Sequence, residues 1–493
     1  MGNTEWIRKF RLPYWILGLL ALILILRIPS FFEPYYYGDE MVYLTLGTGV
    51  RQGLTLYKDI HDNKPPLLYL MAAGAGSLFW FKVILAFWML ATTVIFYKLA
   101  RKLFPENQNT QKVSTVIFAA LTTLPLLEGN TANSELFMIV FTIFAFLILL
   151  KEKLSGRFVF LAGFLMGLGT LFKIPAAFDA PIIVIYWLIT SDLKSDWKKI
   201  LTNTVVLIAG FATPLILTFV WYFTKGALTD YIKAAFLQNV GYLSSFRPGD
   251  VQKPFLVRNT PLLMRAGFVI LGSGVLFIFR KRLSKRFILL SLWILLTLFA
   301  ITLSERPYPH YFIQAAAPIA FLFGLLFTEK SFEQSLVILP LTLTFFVPIY
   351  YKFYVYPTTP YYLRFLNFTS GNINRSEYFN SFDVNTVRNY KIAEFLVTAS
   401  VPSDRVFVWD PAAPTIYALA RRLPGVKYVV PYHVHDYSNP GDTAKQIIAN
   451  PPKFIIETSG NPYPELSALI KTKYLLIQQI ENANIYVRID KGL

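Results

Sequence analysis

Residues 30–64 carry the densest chemistry in the chain. This segment follows the first apolar run, opens with Tyr36-Tyr37-Gly38-Asp39-Glu40 and closes with Asp62-Asn63-Lys64-Pro65-Pro66-Leu67. Adjacent carboxylates at the end of a membrane span can take or deliver a proton, and a lysine held ahead of two prolines can hold an anion. Acid/base chemistry and anion binding are therefore expected at one membrane face. Each group also has a plainer reading, Asp39 and Glu40 as a solvated acid pair and Lys64 as an interfacial lysine reaching up to headgroups. Tyr43 lies four residues after Asp39, and His61 and Asp62 lie just before Lys64, with His61 read either in the same pocket or in solvent.

Three later segments add charged groups at the ends of apolar runs. Glu135, in Asn130-Thr131-Ala132-Asn133-Ser134-Glu135, opens a helix where the dipole favours a carboxylate, and it reads either as a site acid or as a cap pair with Asn133. Glu128 is the weaker candidate there. Lys173 ends the run Gly167-Leu168-Gly169-Thr170-Leu171-Phe172-Lys173, against the charge trend of its neighbours, so it needs an anion; small-residue packing explains Gly167 and Gly169. Arg306-Pro307-Tyr308-Pro309-His310-Tyr311 offers a guanidinium for bidentate phosphate binding and an imidazole to orient it, or else an aromatic belt facing headgroups. His433-Val434-His435-Asp436 has no distant third ligand and is not read as a metal site.

What must position these groups is a membrane. Hydrophobic residues make up 55% of the chain, charged residues only 15%, and mean hydropathy is +0.46, which excludes an ordinary soluble enzyme. The 47 Lys and Arg exceed the 29 Asp and Glu, but they punctuate apolar runs rather than forming one face. They mark a positive-inside topology and not a nucleic-acid footprint. There is no cysteine, hence no disulfide or thiolate site. Eleven apolar runs are read as spans, near residues 12–29, 81–100, 112–128, 135–150, 157–173, 175–190, 200–223, 262–279, 287–303, 311–328 and 335–351. Arg8, Lys9 and Arg11 precede the first, which reads as a retained signal anchor with its N-terminus in the cytoplasm. Alternate loops are then basic throughout, and the acids collect outside. Residues 65–79 are apolar but short and broken by Gly74 and Gly76, so they are read as a helix at the external interface.

Residues 1–351 thus form a membrane domain, and residues 352–493 a soluble domain on the outer side. In the latter, residues 405–409, 426–430 and 454–456 read as buried strands alternating with helices at 414–422 and 443–449. This implies a small parallel sheet, closed by a hairpin around Asn482-Ala483-Asn484. No Gly-rich phosphate turn is present there.

The pairing of Asp39-Glu40 and Tyr43 with Lys64-Pro65-Pro66-Leu67 resembles the first external loop of C-type membrane glycosyltransferases. These are the protein O-mannosyltransferase and lipid A aminoarabinose transferase superfamily. The resemblance covers about the first 320 residues. It implies a polytopic helical fold and an inverting transfer of a sugar from a polyprenyl-phosphate donor to a hydroxyl on a protein, lipid or cell-envelope glycan. It implies Asp39 as base with Glu40 beside it, Glu135 as a second acid where the family usually has Asp, and Lys64, Lys173, Arg306 and His310 around the donor phosphate. Tyr43, His61 and Asp62 complete the pocket. No cofactor is assigned, and a divalent metal is left open. The expected partners are the donor, the acceptor and the bilayer, with no nucleic acid, and the expected location is the plasma membrane. Two rivals stand beside this reading. A transporter or flippase would need midplane charges and repeated halves, and a lipid-linked oligosaccharide polymerase or ligase would need its long external loop late in the chain.

Overall fold

In a computed structural model of the chain, which describes residues 12–239, 254–458 and 460–489, each of the eleven apolar runs lies on a helix. Seven of these helices are long and apolar enough to cross a bilayer: Tyr14–Phe32, Leu78–Leu103, Leu193–Thr224, Leu256–Phe279, Lys285–Thr302, Pro309–Thr328 and Phe332–Tyr350. Ser134–Leu149, Gly156–Thr170 and Ile174–Thr190 are apolar but shorter, and Gln108–Thr123 has only 16 residues. Sixteen residues rise about 24 Å against a hydrocarbon core of about 30 Å, so length alone supports seven crossings of the eleven expected. Leu67–Ala75, in the segment read as an interfacial helix, is nine residues long and ends at Gly76 with φ of 68°. The basic residues of the expected signal anchor, Arg8, Lys9 and Arg11, lie outside the described residues.

The chain divides into two compact units. The first comprises residues 1–30, 82–218 and 240–358, and the second residues 31–81, 219–239 and 359–493. The first unit is helical, and its core is aromatic. Phe96 stacks between Phe118 at 4.1 Å and Phe321 at 4.5 Å, and Trp293 meets Phe146 edge-on at 4.6 Å. Gly156–Thr170 crosses Leu193–Thr224 at bare backbone. A methyl group on Gly163 would overlap the Leu207 carbonyl oxygen, and one on Gly210 the Phe160 carbonyl oxygen. Small residues permit such approach where lipid supplies no hydrophobic drive for association.

In the second unit the expected loop of residues 30–64 is largely helical. Asp39 and Glu40 occupy the first turn of Gly38–Arg51, where their charge complements the helix dipole. This helix lies against Leu67–Ala75, close enough that a methyl group on Gly47 would strike the Ala72–Ala73 backbone. It also packs against Ala413–Ala420, with Thr45 Oγ1 donating to the Pro414 carbonyl at 3.1 Å.

The C-terminal sheet contains β1 (Val406–Trp409), β2 (Phe454–Thr458), β3 (Tyr474–Ile480) and β4 (Ala483–Arg488), in the order β1-β2-β4-β3. Only β1 and β2 are parallel, so the sheet is mixed rather than wholly parallel. Residues 426–430, expected as a strand, form none. Pro424-Gly425 and Pro431 cut the segment short, and it pairs instead with the first loop, where His61 N–H donates to the Lys427 carbonyl at 2.9 Å. The expected hairpin is present as β3–β4. One sheet face is covered by a cluster in which Trp409 stacks on Tyr463 at 4.1 Å.

Candidate active site

The candidate residues fall into two groups, one in each unit. In the second unit, Asp39 Oδ2 accepts a hydrogen bond from the Tyr43 hydroxyl at 2.8 Å and from Lys64 Nζ at 3.4 Å, and the ammonium lies 4.9 Å from the centre of the Tyr43 ring. The side chains of Lys64 and Asp39 remain 20% and 36% exposed, so both are open to a ligand although their supports are buried. Those supports are tyrosines. The Tyr57 hydroxyl donates to the Lys64 carbonyl at 2.8 Å, and the Lys64 N–H donates to the Tyr69 hydroxyl at 3.1 Å. Tyr57 holds φ at 70°, a left-handed conformation costly for an aromatic residue, and its ring is locked among Tyr69, Tyr222 and Tyr231. Burial and the Asp39 charge push the Tyr43 hydroxyl well above its ordinary range, so it stays a donor to Asp39. Glu40 is buried.

Below Lys64 lies a second layer. Tyr69 hydrogen-bonds Asp62, and His433 Nε2 lies 3.6 Å from Asp62 Oδ1. Asn63 donates to the Tyr437 hydroxyl at 2.8 Å and receives Asn239 on its carbonyl at 2.6 Å. His61 is buried against Tyr428, Tyr437 and His433, and among the described residues neither ring nitrogen has a hydrogen-bond partner. Burial, then the neighbouring His433, pushes its pKa down to about 3, and burial lowers that of His433 too, so both rings are neutral at pH 7. His61 is thus not solvated. Tyr57, Tyr69, Asn239 and His433 were not legible as part of this site. Distance in sequence hid Asn239 and His433, whereas Tyr57 and Tyr69 flank Lys64 within a few residues.

In the first unit Lys173 forms an ion pair with Glu135, and its ammonium lies 3.8 Å from the Tyr311 ring centre. His310 Nε2 is 3.9 Å from Glu135 Oε1, while its Nδ1 meets Glu128 Oε2 at 2.5 Å; Asn133 donates to the same Glu128 oxygen at 2.9 Å. Glu128, the weaker candidate by sequence, is therefore central. Its φ of 59° turns the chain so that the carboxylate reaches His310. Asn133 precedes the first helical turn but makes no side-chain cap, being turned to Glu128 instead. A buried lysine absent from the sequence reading, Lys82, holds the same loop by donating to the Asn130 carbonyl at 3.0 Å. Glu135, Lys173, Tyr311, Gln314 and Ser304 line a narrow cleft. Arg306 is exposed two residues from Ser304, whose hydroxyl accepts its backbone N–H at 3.4 Å. Among the described residues no three His, Asp or Glu side chains gather to hold a metal ion.

Residues 63–238 match the family model described as dolichyl-phosphate-mannose-protein mannosyltransferase. Over almost its whole length the chain superposes on ArnT from Cupriavidus metallidurans bound to undecaprenyl phosphate. The TM-score is 0.58 at 12% identity, with 97% of this chain and 98% of that one covered. The chain shares the fold of this ArnT. The apo ArnT structure from the same organism agrees, with a TM-score of 0.54, 13% identity and 96% and 98% coverage. No curated protein sequence matches the chain. The family match begins one residue before Lys64 and takes in Glu135 and Lys173, whereas Asp39, Glu40, Arg306 and His310 lie outside it.

Proposed function

We propose that this protein transfers a sugar from a polyprenyl-phosphate donor to a hydroxyl acceptor at the outer face of the membrane, with inversion at the anomeric carbon. The observation that carries the reading is the Asp39 carboxylate, partly open and held from one side by Tyr43 and Lys64. As the acceptor oxygen bonds to the anomeric carbon, its proton passes to Asp39. The bond from that carbon to phosphate oxygen breaks, and the departing phosphate gains negative charge, which Lys64 balances. A single displacement needs one base and forms no glycosyl-enzyme, so Glu40 is assigned to supporting the helix start rather than to a second proton transfer.

In the first unit the assignment of Lys173, His310 and Arg306 to donor phosphate rests on the Lys173 and Arg306 cations, on the His310 imidazole beside Glu135, and on the cleft that Lys173 shares with Glu135. Residues 1–351 are assigned to the membrane-embedded transferase and residues 352–493 to its extracytoplasmic domain. The lipid phosphate of the ArnT complex and the mannose donor of the matching family support this donor class. The sugar, whether hexose or pentose, is left to experiment.

Asp39→Asn tests the mechanism. It removes the proton acceptor but keeps the shape, so transfer should fall by about 10²- to 10⁴-fold with donor binding retained. Near-normal turnover by a purified, folded Asp39→Asn protein would overturn the assignment.

A further inference from the structure

A cleft of about 560 Å³ in the first unit lies where four helix ends meet. It is bounded by the end of Ile174–Thr190, the start of Leu193–Thr224, the end of Leu256–Phe279 and the start of Lys285–Thr302. Four of its lining residues are cations, Lys194, Arg280, Lys281 and Lys285, against one carboxylate, Asp192. That carboxylate accepts the backbone N–H of Lys194 at 3.0 Å and keeps its charge, and the four cations outweigh it. None of the three lysines makes an ion pair among the described residues, and all three are exposed. Arg280 is held in place by the Phe277 carbonyl at 2.7 Å and by the Phe277 ring, 3.9 Å from its guanidinium carbon.

The floor has a different chemistry. Ile189, Leu193 and Ile288 line the same cleft, and the outward faces of the adjoining helices expose Leu188, Phe279 and Trp197. Both hairpins end at the margin of apolar spans, the level at which aromatic side chains and lipid headgroups meet water. A soluble anion would find no use for the apolar floor, and a neutral lipid none for the cations. A lipid phosphate beside acyl chains satisfies both.

We propose that this cleft binds the headgroup of an anionic phospholipid, a site separate from the sugar-transfer chemistry and independent of it. The phosphate sits among Lys194, Lys281, Lys285 and Arg280, and the first carbons of the acyl chains lie along the exposed Leu193. An ordinary basic loop would concentrate anionic lipid diffusely. A cleft between spans retains one molecule.

The test is native mass spectrometry of the full chain in micelles supplied with phosphatidylglycerol, phosphatidylcholine or undecaprenyl phosphate. The wild-type protein should retain phosphatidylglycerol over phosphatidylcholine, and the preference should weaken as salt rises. Neutralising one lysine near an anionic headgroup costs about fivefold in affinity, so Lys194→Gln, Lys281→Gln and Lys285→Gln should each reduce retention by that factor. Sugar transfer at saturating donor should be unchanged in these variants. Equal retention of phosphatidylcholine, or unchanged retention in all three variants, overturns the site. Preferential displacement of phosphatidylglycerol by undecaprenyl phosphate overturns it in favour of a carrier-lipid site. The salt dependence of the wild-type protein decides the matter even where a variant fails to fold.

Discussion

Lys173 shows how a residue changes meaning when its partner is known. In the sequence it is a cation at a span end with no acid nearby before Asp179, so replacement by Met should be a mild loss of charge. In the structure Glu135 answers it within the buried network of His310 and Glu128. Removing one member of a buried pair strands the other charge, at a cost of about 3–5 kcal/mol. Lys173→Met should therefore lower the thermal unfolding midpoint sharply in detergent, and Glu135→Gln added to it should restore most of the loss. If Lys173 also meets donor phosphate, sugar transfer stays low in the stabilised double variant. A Lys173→Met protein as stable as wild type would mean that the ion pair is not what holds this network.

The element that organises the second unit is the stretch from Tyr57 to Lys64, which is docked at one end on Lys427 and Tyr437 and at the other presents Lys64 to Asp39. His61 is the buried pin of that docking. Its folded pKa of about 3 lies below the ordinary value near 6.5, so between those values the unfolded chain binds a proton that the folded chain refuses. Stability therefore falls as pH drops through this window, by up to about 1.4 kcal/mol per pH unit for one imidazole. The apparent unfolding midpoint should drop between pH 7 and pH 5, and His61→Phe, whose ring suits the surrounding tyrosines, should show a smaller drop. Identical drops in the two proteins would rule His61 out as the acid-sensitive contact.

For the whole molecule, the parity of crossings decides which side carries the C-terminal domain. Leu67–Ala75 rises only about 14 Å over its nine residues, too little to cross, so it does not add a passage between the first two long helices. Seven crossings by length among the described residues, or eleven with the shorter helices, are both odd, and an odd count is expected to put residues 352–493 on the side opposite the N-terminus. Arg101 and Lys102 close the last turn of Leu78–Leu103, which the charge rule places inside. A reporter active only in the cytoplasm should work when fused after Arg101 and stay silent when fused after Leu493. The reverse pattern would mean that residues 65–79 do pass through the membrane.

Helix positions and the excess of cations over acids were readable from the sequence because each depends on local pattern, namely runs of apolar residues and the charged loops between them. The β3–β4 hairpin was readable for the same reason, since its turn and both strands are contiguous. What lay beyond the sequence is what depends on contacts between distant segments. The 426–430 segment has strand-like residues, yet its hydrogen bonds go to His61 rather than into the sheet. Glu128 looked secondary until His310, 182 residues later, came to rest on it at 2.5 Å. A carboxylate's neighbours across the fold decide whether it is solvated, capping or part of a charge network, and no pattern along the chain carries that information.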